Sequence, residues 1–413
     1  MFHIPNAFLR PLFLANGQLR HIISPAPKKV EDVEISPFWN NAPCAASVSA
    51  DFELGWAWRN LDKHSLMQRA NTERENVPRL LQMLSEHHIP ITWATVGHLF
   101  LESCQRDPHG LAHPEMLRPS ANFGWDGDWY QHDPCSDAKS APAWYCPDLI
   151  RQICNATPHH ELGTHSFSHI DFGPGASNSA LVRQEIESCI SAMAPFGVQP
   201  RSLIYCFNHM GHQHLPLFGD LGITSVRHRD PHCRIAYPER SLRGVYKIYE
   251  SMNLRTTQRY DYVSKATVFL GEAELHQGAF HIWFHPSDPW PIFETIFDPI
   301  LRRLDQLRRE NRVWIATMQD LVGYCEARAT TDLVIARSQG RTKIHLTRQM
   351  DAQRYGKPEL TLCIPMPFRP WAICQMDAAS GSKIPLPEES WRMSAGRLVV
   401  NVPWTCESLE IIH

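Results

Sequence analysis

From residue 44 to about residue 328, short apolar runs rich in β-forming residues alternate with stretches of helical periodicity. That alternation constrains the fold most, because strands joined by helices return in parallel and build one sheet covered by the helices. "CAASVSADFE" (44–53) reads as a buried strand ending in acids. "NVPRLLQMLSEHHI" (76–89) reads as a helix with Pro78 in its permissive first turn. Further strands are "ITWATVGHLF" (91–100), the run leading into "HELGTHSFSHIDF" (160–172), "SLIYC", "TSVR" and "AFHIWFH" (279–285). Helical patterns lie between them at 146–156, 177–195 and 294–311. Six or seven such units predict an α/β fold, a barrel or strongly curved sheet of parallel strands.

After about residue 330 the texture changes. "TKIHLTR", "LTLCIPMP", "WAICQMD", "RLVVNVPW" and "SLEIIH" are short alternating segments separated by Gly, Pro, Ser and Asp, as in a small antiparallel sandwich. The expected organisation is an N-terminal extension (1–43) packing on the barrel, a barrel domain (44–329) with an insertion at 105–145, and an all-β domain (330–413).

Composition narrows the function. Hydrophobic residues at 43% and charged residues at 20% describe an ordinary folded protein, and a net charge of -3 gives nucleic acid no basic stripe to bind. The N-terminal "MFHIPNAFLRPLFLANGQLR" is broken by Pro and Arg and lacks the pattern of a secretory leader. No window approaches the roughly 20 apolar residues of a membrane span. Twelve cysteines without a C-x-x-C pair suggest reduced thiols. A cytoplasmic location is expected, with peripheral attachment to a membrane left open.

Three strand ends carry polar groups that a buried strand would not keep without a use. In "SVSADFELGW", Asp51 and Glu53 fall on one side, since side chains alternate along a strand. His165 and His169 follow the third strand, and His285 closes "FHIWFH". The carboxyl ends of parallel strands are where sites form. Zinc takes imidazole nitrogen and carboxylate oxygen, and a catalytic zinc keeps one position open. A second carboxylate can accept a proton, and an imidazole can give one to a leaving amine. Each group also has a plain structural reading. The acids could cap a helix or pair with Arg59, and His285 could cap the turn at Pro286.

Taken together, "SADFE", "THSFSH" and "IWFH" resemble, in order, the motifs of the polysaccharide deacetylase family with the NodB homology domain, carbohydrate esterase family 4. The resemblance spans about 44–328, and "ITWATVGHLF" is similar to the family's second strand. It implies a distorted (β/α) barrel of about seven parallel strands that hydrolyses an N-acetyl group on an amino sugar with a divalent metal, zinc foremost. By position it implies Asp51 as general base, His285 as general acid, and His165 and His169 as metal ligands. Phe52 stands where many members have the metal-binding acid, so that role passes to Glu53. The usual Arg-x-Pro-Tyr-Gly motif is replaced by "CFNHMGH", leaving Arg227 to orient the base, with Asn208 or His209 lining the site. Arg227 as a surface ion pair is the competing reading.

The insertion "NFGWDGDWYQHDPCSDAKSAPAWY" should overhang the same mouth. Trp125, Trp129, Trp144 and Tyr145 are candidates to stack on sugar faces, and Asp126, Asp128 or Asp133 to bind hydroxyls, with Asp133 and Trp144 foremost. A loop packing its own aromatics is the alternative. The leading reading is a metal-dependent carbohydrate N-deacetylase of cell-surface or exopolysaccharide synthesis. A ureide or formamide hydrolase on the same fold, with or without metal, and a non-catalytic sugar-binding protein are the rivals.

Overall fold

A computed structural model describes residues 6–119, 127–254, 261–376 and 382–413. Seven strands form one continuous parallel, curled sheet: β1 (Ala45–Phe52), β2 (Thr92–Thr95), β3 (Glu161–Thr164), β4 (Ser202–Leu203), β5 (Ser225–His228), β6 (Tyr246–Tyr249) and β7 (Ala279–Phe284). Their order is β7-β1-β2-β3-β4-β5-β6. This is the expected α/β barrel-like sheet. β6, in "VYKIY", has no counterpart in the sequence reading.

β1 shows why the interior is polar. Ala46, Val48, Ala50 and Phe52 face the apolar core beneath the helices. Ser47, Ser49 and Asp51 fall on the opposite parity and are buried in the barrel. The register then levels the strand ends. Phe52 pairs with Thr95, Thr95 with Thr164, and Ala50 with Phe284. The residues that follow (Glu53, His165 and His285) therefore emerge on one rim.

Helix α1 (Lys63–Glu86) starts thirteen residues earlier than the apolar pattern at 76–89 implies. Asp62 caps it, accepting from the backbone N–H groups of His64 and Ser65 at 3.0 Å each. Pro78 consequently lies in the helix interior. Helices α2 (Pro147–Cys154), α3 (Ser179–Met193), α4 (Tyr262–His276), α5 (Asp298–Arg309) and α6 (Met318–Thr330) complete the pattern.

The C-terminal part is all-β, in two five-stranded sheets. One joins β8 (Thr331–Ser338), β9 (Arg341–Arg348), β13 (Ser408–Ile412), β11 (Ala372–Met376) and Lys383–Pro385. The other contains β10 (Leu360–Pro365), β12 (Arg397–Val402) and Trp391–Ser394. Ile344, Leu346, Leu409 and Ile411 from the first and Leu362, Ile364, Leu398 and Val400 from the second share one core. The second sheet also takes in Lys29–Val30 and Val33–Ile35, with Ile35 opposite Leu362. The N-terminal stretch thus serves both parts. Its helix Asn6–Ala15 sets Phe13 on Phe269 of α4, and Ile22–Ile23 pairs with Ile235–Ala236. Among the described residues, no helix is long and apolar enough to cross a membrane.

Candidate active site

Glu53 is the point of convergence. Its Oε1 lies 2.9 Å from His165 Nε2 and 3.0 Å from His169 Nε2, with all three side chains buried. The other ring nitrogen of His165, Nδ1, meets the Ile204 carbonyl at 2.9 Å, which fixes the ring's orientation. Among the described residues, His169 Nδ1 is buried with no hydrogen-bond partner. Burial raises the proton affinity of Glu53, but the two imidazoles reverse this and hold it well below the usual carboxylate range.

These donors suit a divalent cation. A tetrahedron with bonds near 2.0 Å has edges of about 3.3 Å, close to the spacing around Glu53 Oε1. Ligand atoms of Asp51, Glu53 and His165 lie within 4.8 Å of one another, as do those of His165, His169 and Cys206. Nothing in the pattern of "CFNHMGH" singles out Cys206 as a donor. Its buried Sγ donates to the His165 carbonyl at 3.2 Å, and the two histidines outweigh burial to bring its thiol down to about 7.

Arg227 is no surface ion pair. It is buried, its Nη1 and Nη2 donate to Asp51 Oδ1 and Oδ2 at 2.5 and 2.7 Å, and the guanidinium sits 4.2 Å from the Trp283 ring centroid. It also donates to Ser49 Oγ and to Asn208 Oδ1, each at 3.2 Å. Burial pushes the Asp51 carboxyl up, and Arg227 more than offsets that, leaving it below its ordinary value. His281 bridges Ser47 Oγ at 2.7 Å and Ser49 Oγ at 3.0 Å, and burial brings its imidazole down to about 3, so it is neutral. Its parity was legible, since His281, Trp283 and His285 share one side of β7 and its end. His285 is part-exposed at the rim, with Nε2 3.9 Å from Glu53 Oε2.

Two buried carboxylates hold the backbone of this site. Glu73 of α1 accepts from the N–H groups of Glu53 and Leu54 at 3.0 Å each, bracing a turn where Leu54 has φ 46°. Glu185 of α3 accepts from Ser168 N at 2.8 Å and Ser168 Oγ at 2.7 Å, between the two histidines. Arg59 does not pair with Asp51 or Glu53. It donates to the Ser168 carbonyl at 2.6 Å and stacks on Trp129, whose Nε1 donates to Ser168 Oγ at 3.0 Å. The small polar residues of "THSFSH" thus anchor the loop: Ser166 Oγ likewise accepts from Ile170 N at 2.9 Å.

The insertion corrects the expectation of a sugar platform. Asp133, Trp144 and Tyr145 are buried, and Trp144 packs edge-on against Trp56 at 5.4 Å. Tyr145 Oη donates to Asp133 Oδ1 at 2.9 Å. Trp129, Tyr130, Trp144 and Tyr145 fill an apolar interior instead of facing solvent. Asp128 pairs with Arg118 at 2.8 Å. Trp125 and Asp126 lie outside the described residues. Asn208 touches Arg227, whereas His209 is turned to Asp171 Oδ1 at 3.2 Å.

Residues 62–226 match the sequence profile described as polysaccharide deacetylase. No curated protein matches the chain significantly. Among solved structures, a Mycobacterium smegmatis protein assigned to the polysaccharide deacetylases is similar in fold, with a TM-score of 0.52 at 16% identity over 77% of this chain and 99% of its own. PuuE allantoinase (TM-score 0.44, 14% identity, 70% of this chain and 92% of its own) is more distant. So is a Streptococcus mutans carbohydrate esterase family 4 esterase (0.36, 14%, 67% and 87%). Residues 62–226 are thus similar to the polysaccharide deacetylases in sequence profile and the curled parallel sheet is similar to theirs in fold, and the chain is a hydrolase of non-peptide C–N bonds.

Proposed function

We propose that the chain removes an N-acetyl group from an amino sugar within a polysaccharide, using a divalent cation held by Glu53, His165 and His169. The observation that carries this reading is the meeting of both Nε2 atoms on Glu53 Oε1, at 2.9 and 3.0 Å, on the rim beside Asp51. A cation bound there, zinc by its donors, supplies Lewis acidity toward the amide carbonyl and acidifies water.

The chain's own groups divide the proton traffic. Asp51, kept ionised by Arg227, takes a proton from the attacking water. Arg227 is spent on Asp51, Ser49 and Asn208, so it aims the base instead of contacting the leaving group. His285, part-exposed at the rim, gives a proton to the departing nitrogen. Asn208 lies next to this pair and faces substrate. Acetate release from N-acetylglucosamine oligomers, measured together with metal content, tests the assignment. His165→Ala should lose both metal at this site and turnover, whereas Asp51→Asn should keep the metal and lose turnover by at least about 100-fold. Full activity in either variant would overturn it.

A further inference from the structure

A second set of metal donors lies where the insertion meets the end of β2, apart from the site above. His98 Nε2 and His113 Nε2 stand 3.0 and 2.7 Å from one oxygen, Oδ2 of Asp133, and 3.2 Å from each other. Cys104 Sγ lies 3.5 Å from the same oxygen, and the four donor atoms are all within 4.8 Å of one another. Two imidazoles meeting on one carboxylate oxygen is the geometry seen at Glu53, here with a thiol added.

The spacings are those of a coordination shell. Nitrogen and oxygen donors at about 2.0 Å and sulfur at about 2.3 Å from a zinc ion stand about 3.3 to 3.5 Å apart. A thiolate, a carboxylate and two neutral imidazoles bring two negative charges, which a divalent cation neutralises. Outer groups orient the two imidazoles and the carboxylate, as in metal sites generally. The Trp144 carbonyl meets His98 Nδ1 at 3.2 Å, and Glu115 lies 3.5 Å from His113 Nδ1. Tyr145 Oη and the Cys135 N–H each donate to Asp133 Oδ1 at 2.9 Å. Cys104 and His113 border a surface cleft, which gives an ion a way in.

We propose that His98, Cys104, His113 and Asp133 bind a second divalent cation, zinc by its donor set, which pins the insertion to the barrel. Four protein donors close the coordination, the mark of a structural site rather than a catalytic one. The ion also acts on the histidine loop. His98 sits in the turn Gly97–Phe100 after β2, where Gly97 N–H donates to the Ser166 carbonyl at 2.8 Å and His98 N–H to the Phe167 carbonyl at 3.0 Å. Fixing the His98 ring therefore steadies the segment that carries His165 and His169.

Metal analysis of the full chain tests this. Zinc content should fall by about one ion per chain in Cys104→Ser and in His113→Ala, independently of the ion lost in His165→Ala. Cobalt-loaded protein should show a thiolate-to-metal charge-transfer band that survives in His165→Ala and Cys206→Ser and vanishes in Cys104→Ser. This second readout starts from the wild-type chain and does not depend on the histidine variant folding. Zinc content unchanged in Cys104→Ser, or a cobalt spectrum with no Cys104-dependent band, would overturn the second site without touching the first.

Discussion

Arg227 grips both carboxylate oxygens of Asp51, at 2.5 and 2.7 Å, across a separation of 176 residues in the chain. Among the described residues Arg227 offsets the burial of that carboxylate most strongly, ahead of His165 and His285. Arg227→Ala should therefore cost about 3–5 kcal/mol in urea unfolding, the penalty for stranding one member of a buried pair.

The same variant tests the base. A depressed carboxylate contributes stability above its unfolded value and loses it as pH falls through the folded value. Without Arg227 the folded value rises, so both that loss and the acid limb of the pH–rate profile should move to higher pH. Arg227→Lys keeps the charge but not the two-pronged grip, and should lie between. An acid limb that stays in place in Arg227→Ala would remove Asp51 from the role of base.

Glu73 supports the site from behind by accepting the N–H groups of Glu53 and Leu54. Glu73→Ala strands both donors, at about 1–3 kcal/mol each, and should lower metal affinity as well, because Glu53 loses its backbone anchor. Glu73→Gln keeps one acceptor and should lose less of both. Unfolding and metal titration on the same samples read the two effects, and wild-type metal affinity in Glu73→Ala would show that Glu53 needs no such anchor.

Glu161 closes the opposite end of the barrel, accepting from Thr92 Oγ1 at 2.7 Å, Ser202 Oγ at 2.5 Å and Gln319 N at 2.9 Å. Burial outweighs these bonds and raises its carboxyl from 4.5 to about 7. The folded chain then holds this proton more tightly than the unfolded chain. Its contribution is complete below pH 4.5 and is lost as pH climbs to about 7. Glu161→Gln does not titrate, so the stability gap should shift in its favour by a few kcal/mol between pH 5 and pH 8, at about 1.4 kcal/mol per unit. A gap that is the same at both pH values would place Glu161 at an ordinary carboxylate value.

Trp144 separates a packing role from a sugar platform. Buried against Trp56, it should cost about 3–5 kcal/mol when changed to alanine. In Trp144→Phe, which stays folded, KM for glycan oligomers should match wild type. A several-fold rise in KM at unchanged stability would restore the ring to the substrate.

How much was legible in the sequence depends on the range over which each feature is decided. The parity of "SVSADFE" put Ser49, Asp51 and Glu53 on one face, and "AFHIWFH" did the same for His281, Trp283 and His285, because alternation is local to a strand. The βα alternation and the antiparallel texture after 330 were equally readable, since periodicity records which face each element buries. What parity cannot carry is which neighbour arrives across the barrel. Arg227 reached Asp51, and Glu73 reached the Glu53 turn, through strand order and register. The sequence leaves both readings of Trp144 and Tyr145 open for the same reason. An aromatic ring packs an interior or a sugar equally well, and only its contacts across the fold decide between them. The donors gathered around Asp133 run from His98, at the end of the second strand, to residue 133 in an insertion with no periodicity to align them, so only the folded chain brings them together.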